Sequence, residues 1–185
     1  MINVNDFKTG ITILLDGNLF QILEFLHVKP GKGGAFVRTK LKNLKTKSII
    51  DYTFNAGIKV ERALVTKKQM QYLYNTEEEY VFMDKDTYEQ ISLTKDKVKD
   101  VLKYLKENGG VEVVSHDNEI IALNLPEKIE LIVNDTEPAI KGNTVSNATK
   151  DAVLETGLSL RVPLFIEQGD IVIISTKDGK YISRK

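Results

Sequence analysis

The stretch Ile11-Thr12-Ile13-Leu14-Leu15-Asp16-Gly17-Asn18-Leu19-Phe20-Gln21-Ile22-Leu23-Glu24-Phe25-Leu26-His27-Val28 decides the fold class of this chain. Two runs rich in β-branched and aromatic residues flank Asp16-Gly17-Asn18, a turn signal, and together they read as a β-hairpin. Working outward, Lys29-Pro30-Gly31-Lys32-Gly33-Gly34 interrupts the pattern, which resumes at Ala35 to Leu41, Ile49 to Phe54 and Val60 to Val65. Five short strands in about 65 residues predict a small barrel.

The middle third holds further strand-like runs at Met70 to Tyr74, Glu79 to Met83, Val111 to Ser115 and Glu119 to Leu125. Between them Val98, Val101, Leu102 and Leu105 recur at helical spacing, which predicts one helix with Thr94 as its N-cap and Asn108-Gly109 as its stop. This is the pattern of an OB-type barrel carrying a helix. Pro126 marks a boundary, after which strands return at Ile129 to Val133, Gly157 to Phe165, Ile171 to Ser175 and Lys180 to Ser183. The expectation is an all-β chain of three small barrels, with domains at 1–64, 65–126 and 127–185, joined by short connections because no long Gly/Ser linker is present.

The composition, 42% hydrophobic and 28% charged over 185 residues, is that of a chain that buries real cores. It contains no cysteine, which removes disulfides, thiolate metal sites and cysteine nucleophiles from consideration and fits a reducing compartment. The start MINVNDFKTG lacks the basic and apolar regions of a signal peptide, and no apolar run approaches membrane-spanning length, so a cytoplasmic protein is expected. The formal net charge of zero hides an uneven distribution. Residues 1–64 carry ten Lys/Arg against five Asp/Glu, residues 65–126 eight against twelve, and residues 127–185 eight against nine. Between Glu24 and Asp51 no acidic residue occurs, while Lys29, Lys32, Arg38, Lys40, Lys42, Lys45 and Lys47 all fall there. Such a stretch suits a polyanion, nucleic acid above all; a solvated basic face is the alternative.

The loop Lys29 to Gly34 surrounds a single lysine, Lys32, with Pro30 and with Gly31, Gly33 and Gly34, between two strands. Proline fixes φ, and glycines admit backbone conformations closed to other residues and leave the tip slender enough for a narrow space. Lysine there is a flexible point charge with a modifiable amine, though a hairpin tip bearing a solvated lysine fits the same spacing. A phosphate-binding loop does not fit, because Gly33 follows the lysine and the next residues read as strand, whereas a P-loop needs G-K-[ST] leading into a helix. His27 and His116 lack metal-ligand spacing, and no Ser/His/Asp arrangement can be assembled, so neither a metal, a cofactor nor an enzyme is expected. Glu77-Glu78-Glu79 with Asp84 and Asp86 reads as a solvated acidic face, and Phe20, Phe25, Tyr52 and Phe54 as core rather than base-stacking residues.

The tip sequence Lys29-Pro30-Gly31-Lys32-Gly33-Gly34-Ala35-Phe36 resembles the K-P-G-K-G-x-A-F motif of bacterial elongation factor P. A second resemblance lies in Lys150-Asp151-Ala152-Val153-Leu154-Glu155-Thr156-Gly157, in Leu160-Arg161-Val162-Pro163-Leu164-Phe165-Ile166, and on to Tyr181, which is similar to the family's C-terminal signature. Four positions depart from the family pattern: Asn143 in Gly142-Asn143-Thr144 stands where G-D-T is common, Asp151 replaces a proline, and Ser175 and Lys177 in Ser175-Thr176-Lys177 stand for the D and R of D-T-R.

The resemblance implies an L-shaped molecule, an SH3-like or KOW-like domain followed by two OB domains. It implies a monomeric, non-catalytic partner of the 70S ribosome that binds between the P and E sites beside peptidyl-tRNA and relieves stalling at consecutive prolines. Lys32 would then reach toward the CCA end and be the acceptor of a modification made by a separate enzyme. Lys29, Arg38, Lys40, Lys42, Lys45 and Lys47 would contact tRNA or rRNA, and Gly142, Asn143, Thr144, Tyr181 and Arg184 would be third-domain contacts. A general RNA-binding or chaperone-like OB protein, or the elongation-factor-P-like paralogue, is the alternative; the intact Pro30-Gly31-Lys32-Gly33 tip argues against the paralogue.

Overall fold

The computed structural model describes residues 1–138 and 148–185, and these form three sheets, two of them curled into half-barrels. The described chain groups into two compact units, Met1–Lys67 with Val113–Ala122, and Lys68–Glu112 with Leu123–Lys185.

In the first unit, β1 (Ile2–Asn3), β2 (Thr12–Leu15), β3 (Asn18–Val28), β4 (Phe36–Asn43), β5 (Ile49–Asn55) and β6 (Lys59–Ala63) form one sheet in the order β1-β6-β2-β3-β4-β5. The β2–β3 hairpin closes through two residues, Asp16 and Gly17, both at positive φ (49° and 74°), and Leu15 pairs with Asn18. Two consecutive left-handed residues give the turn whose twist matches that of the strands, which is why an Asp-Gly pair stands there. On β4 the residues alternate: Val37, Thr39, Leu41 and Asn43 are buried, while Arg38, Lys40 and Lys42 face outward. The inward side joins Val4, Phe7, Ile13, Phe20, Ile22, Phe54 and Val60 in the core. Phe20 and Phe54 are thus core residues and Phe25 packs against them, but Tyr52 is 37% exposed, its ring tilted against Phe54.

The middle sheet is built from β7 (Thr66–Asn75), β8 (Glu79–Asp84), β9 (Gln90–Thr94), β10 (Gly110–His116) and β11 (Glu119–Asn124), in the order β11-β10-β7-β8-β9. The expected helix is a single α-helical turn, α1 (Lys95–Val98), followed by a 3-10 turn at Leu102–Tyr104. Thr94 sits at the N-cap position but its side chain makes no capping bond. One turn does not repay helix nucleation on its own. What holds it is Val98, which is fully buried, while Val101 (φ −112°, ψ −7°) turns the chain out of the helical path.

The last sheet comprises β12 (Lys128–Thr136), β13 (Thr149–Leu154), β14 (Ser159–Pro163), β15 (Ile171–Ser175) and β16 (Tyr181–Arg184), in the order β14-β13-β12-β15-β16. Leu131, Val133, Ala152, Leu154, Leu158, Val162, Ile166, Val172 and Ile174 form its core, with Tyr104 and Tyr181 packed against the edge.

Candidate nucleic-acid interface

The Lys32 loop is the connection of the β3–β4 hairpin. Val28 pairs with Phe36 at its base, and the Ala56 N–H donates to the Ala35 carbonyl at 2.9 Å, so the loop rises from a strand hydrogen-bonded on both sides. From Lys29 to Gly34 every residue is exposed, and an added Cβ at Gly31, Gly33 or Gly34 would meet nothing within 4 Å. Gly33 alone of the three has a positive φ, 101°. One glycine is therefore required by the backbone, and the other two keep the tip narrow. Among the described residues no carboxylate or carbonyl holds the Lys32 amine, which leaves its charge available to a partner.

The basic residues expected to contact RNA do not form one cluster. Arg38, Lys40 and Lys42 share the outward face of β4, where alternation puts them in a row. The Arg38 guanidinium lies 5.5 Å from the Phe36 ring centroid, in cation–π range. Lys40 is paired with Glu24 (Nζ to Oε2, 3.3 Å) and stands opposite Asp51 on the other flank. Lys45 and Lys47 lie in the turn beyond β4, in which Asn43 Oδ1 accepts from the Lys45 and Thr46 N–H groups at 2.9 Å. At about 3.3 Å per residue, β4 separates that turn from the loop base by about 23 Å. The cations form a line running along the hairpin, with Lys32 at one end and Lys45 and Lys47 at the other. Lys29 stands at the start of the loop, exposed.

Sequence reasoning missed Glu24 as a counter-ion and Phe36 as the ring under Arg38. A β-bulge between Ile22 and Glu24 shifts the register so that Glu24 faces Lys40, and no local pattern announces it. Among the third-domain candidates, Tyr181 is half-buried against the C-terminal core, and Arg184 lies over Phe165 (5.5 Å) with Asp170 at 3.7 Å. Gly142, Asn143 and Thr144 lie outside the described residues.

One further expectation is changed. Asp84 is not part of an exposed acidic face: it is buried, and its Oδ1 accepts from the Asp86 and Thr87 N–H groups at 2.9 and 3.3 Å while Lys68 lies 3.2 Å from Oδ2. These bonds to the charged form, led by the one from the Asp86 N–H, hold its carboxyl below the usual range. His116 ends β10 as an ordinary strand histidine, its Nδ1 2.7 Å from the Leu64 carbonyl. Among the described residues no group of three or more His, Asp or Glu side chains could hold a metal ion, and no helix is long and apolar enough to cross a membrane.

The family model described as the elongation factor P KOW-like domain matches residues 3–60, that of the elongation factor P OB domain residues 65–123, and that of the elongation factor P C-terminal domain residues 129–184. The chain is 57% identical over 185 residues to elongation factor P of onion yellows phytoplasma, covering 100% of this chain and 98% of that one. It is 54% identical over 184 residues to elongation factor P of Moorella thermoacetica, covering 100% of each. The fold is shared with a translation initiation factor 5A family protein from Naegleria fowleri (TM-score 0.50, 17% identity, 67% of this chain and 96% of that one). The chain belongs to the elongation factor P family of translation elongation factors.

Proposed function

We propose that this chain binds the ribosome between the P and E sites beside peptidyl-tRNA and promotes peptide-bond formation at consecutive prolines, with Lys32 approaching the CCA end of the tRNA. The observation that carries the reading is the Lys32 loop: a cation on a narrow, uncontacted tip, rising from a strand flanked on both sides, in a chain of this family. Proline is a poor reactant because its ring restricts the backbone and its amine is secondary. A factor that holds the peptidyl-tRNA end in a reactive geometry lowers the entropic part of the barrier and leaves bond formation to the ribosome. No proton transfer by the factor is required.

In this reading Arg38 and Lys42 contact phosphates along the tRNA, Lys29, Lys45 and Lys47 extend the track at its two ends, and Lys32 is the acceptor for a modifying enzyme that lengthens its amine. The segments 1–64, 65–126 and 127–185 act as three domains of a monomeric factor, one sheet to each. The third supplies further contacts through Arg184 and the segment of Gly142, Asn143 and Thr144. Synthesis of a reporter with three consecutive prolines, in a reconstituted system without the factor, with it, and with Lys32→Ala, tests the proposal. Relief of stalling by the parent protein alone is expected. Failure of protein purified from its own cells, with the Lys32 peptide mass measured, would overturn it.

A further inference from the structure

We infer that the connection between the middle and C-terminal sheets is a fixed joint rather than a hinge, and that Tyr104 is one of three attachments that fix it. The inference concerns only Lys68–Glu112 with Leu123–Lys185, one compact unit, and does not depend on the ribosomal reading. β11 ends at Asn124 and β12 begins at Lys128, so the covalent link is three residues containing Pro126, the kind of short connection that marks a domain boundary in a sequence. A link of that sort alone would leave the two sheets free to rotate about it.

Three attachments remove that freedom. The first is at the link itself, where the Thr176 hydroxyl donates to the Pro126 carbonyl at 2.6 Å and the Thr176 N–H donates to the Glu127 carbonyl at 3.0 Å. The peptides on either side of Glu127 are thereby tied to the loop after β15. The second is some twenty residues upstream, where the Thr156 hydroxyl donates to the Lys103 carbonyl at 2.6 Å and Lys106 Nζ lies 2.9 Å from Glu155 Oε1. That same carboxylate oxygen accepts from the Ile132 N–H at 2.9 Å, so Glu155 is aimed by β12 before Lys106 reaches it.

The third attachment is Tyr104. Its ring packs against the C-terminal core, although it belongs by chain position to the middle third. A Cβ on Gly179 would stand 2.9 Å from the Tyr104 hydroxyl oxygen, so any side chain there would require Tyr104 to shift. Gly179 also holds φ at +70°, where glycine is favoured.

The joint accounts for the interrupted helix. In a continuous α-helix Tyr104, six residues after Val98, would point about 120° away from it at 100° per residue. The break after Val98 lets that residue stay buried in the middle barrel while the 3-10 turn swings Tyr104 onto the C-terminal core. A sequence that merely needed a helix in the middle domain had no reason to stop after one turn.

The chain has no cysteine, so Glu78→Cys with Ser159→Cys supplies two unique exposed labelling positions, one on each side of the joint. Spin labels there should give a single narrow distance distribution by pulsed electron paramagnetic resonance. Adding Tyr104→Ala is expected to at least double its width. A broad distribution in the parent, or an unchanged width in Tyr104→Ala, would overturn the inference. Should Tyr104→Ala lose the circular dichroism of the parent, the pair Thr156→Val with Glu155→Gln carries the same test, because glutamine can still accept from the Ile132 N–H. Broadening in that pair supports the joint, and an unchanged width refutes it.

Discussion

Lys40 Nζ lies 3.3 Å from Glu24 Oε2 across the β3–β4 ladder, so one of the three outward cations of β4 is already partnered. Both side chains remain largely exposed, and an ion pair of that kind contributes little to stability. Its consequence is for binding. A phosphate approaching Lys40 must compete with Glu24, whereas Arg38 and Lys42 bring no such cost. Lys42→Ala and Arg38→Ala are each expected to lower the slope of log affinity against log salt by about 0.7 to 0.9 for an RNA ligand, and Lys40→Ala by less than half as much. Glu24→Gln should raise affinity. Filter-binding isotherms over a range of salt concentrations measure all four, and equal slopes for the three cationic variants would show that the pair does not matter.

The loop glycines should differ in a way their shared sequence context conceals. Gly33 holds φ at +101° and Gly34 does not, yet both face open space. Gly33→Ala is expected to cost about 1–2 kcal/mol through backbone strain alone. Gly34→Ala should be neutral or slightly stabilising, because it restricts the unfolded chain without a clash. Urea denaturation of the two variants beside the parent gives the comparison. Equal midpoints would show that the loop relaxes to another conformation at no cost.

The contrast bears on what could be read before the structure. The tip motif is contiguous, so Lys32 and its neighbours were legible at once, as were the strands whose residues alternate cleanly, such as β4. β13 was not legible, because the residues that face inward are Lys150, Ala152 and Leu154, and a buried lysine inverts the expected pattern. The helix was over-read because Val101 and Leu105 keep helical spacing while lying outside any helical turn, and Leu102 belongs to a separate 3-10 turn. Glu24 and Asp84 escaped for a common reason: a carboxylate's partner is set by register and turn geometry between distant or bulged segments, and a run of acidic residues looks the same whether one of them is buried or none.

Asp84 makes the last point measurable through pH. Its carboxyl is held below the ordinary value by the N–H groups of Asp86 and Thr87 and by Lys68, so the charged form is favoured in the folded protein. The sign follows from linkage. A lowered folded value means the contribution is complete above the unfolded-chain value of about 3.9 and is lost as pH falls through the lower folded value. The parent protein should therefore lose stability on acidification below about pH 4 more steeply than Asp84→Asn, which should itself be less stable at neutral pH. Lys68→Met should fall between them. Thermal unfolding across an acid series reads this, and parallel curves for parent and Asp84→Asn would remove Asp84 from the acid response.

The far end of the cationic line should separate binding from the step at the tip. Lys45 lies beyond Asn43, about 23 Å along β4 from the loop base, in a turn fixed by the Asn43 side chain. A charge at that distance is screened at physiological salt, where the Debye length is about 8 Å, and cannot act on whatever Lys32 touches. Its contribution can only be to occupancy. Lys45→Ala should therefore raise the factor concentration needed for half-maximal relief of proline stalling while leaving the maximal rate unchanged. Lys32→Ala should leave the concentration dependence of binding nearly intact and abolish the rate gain at every concentration. Titration of each variant in a translation assay distinguishes the two: a lowered maximal rate for Lys45→Ala would mean that the far turn orients the tip, and full rescue of Lys32→Ala at high concentration would mean that the lysine only binds.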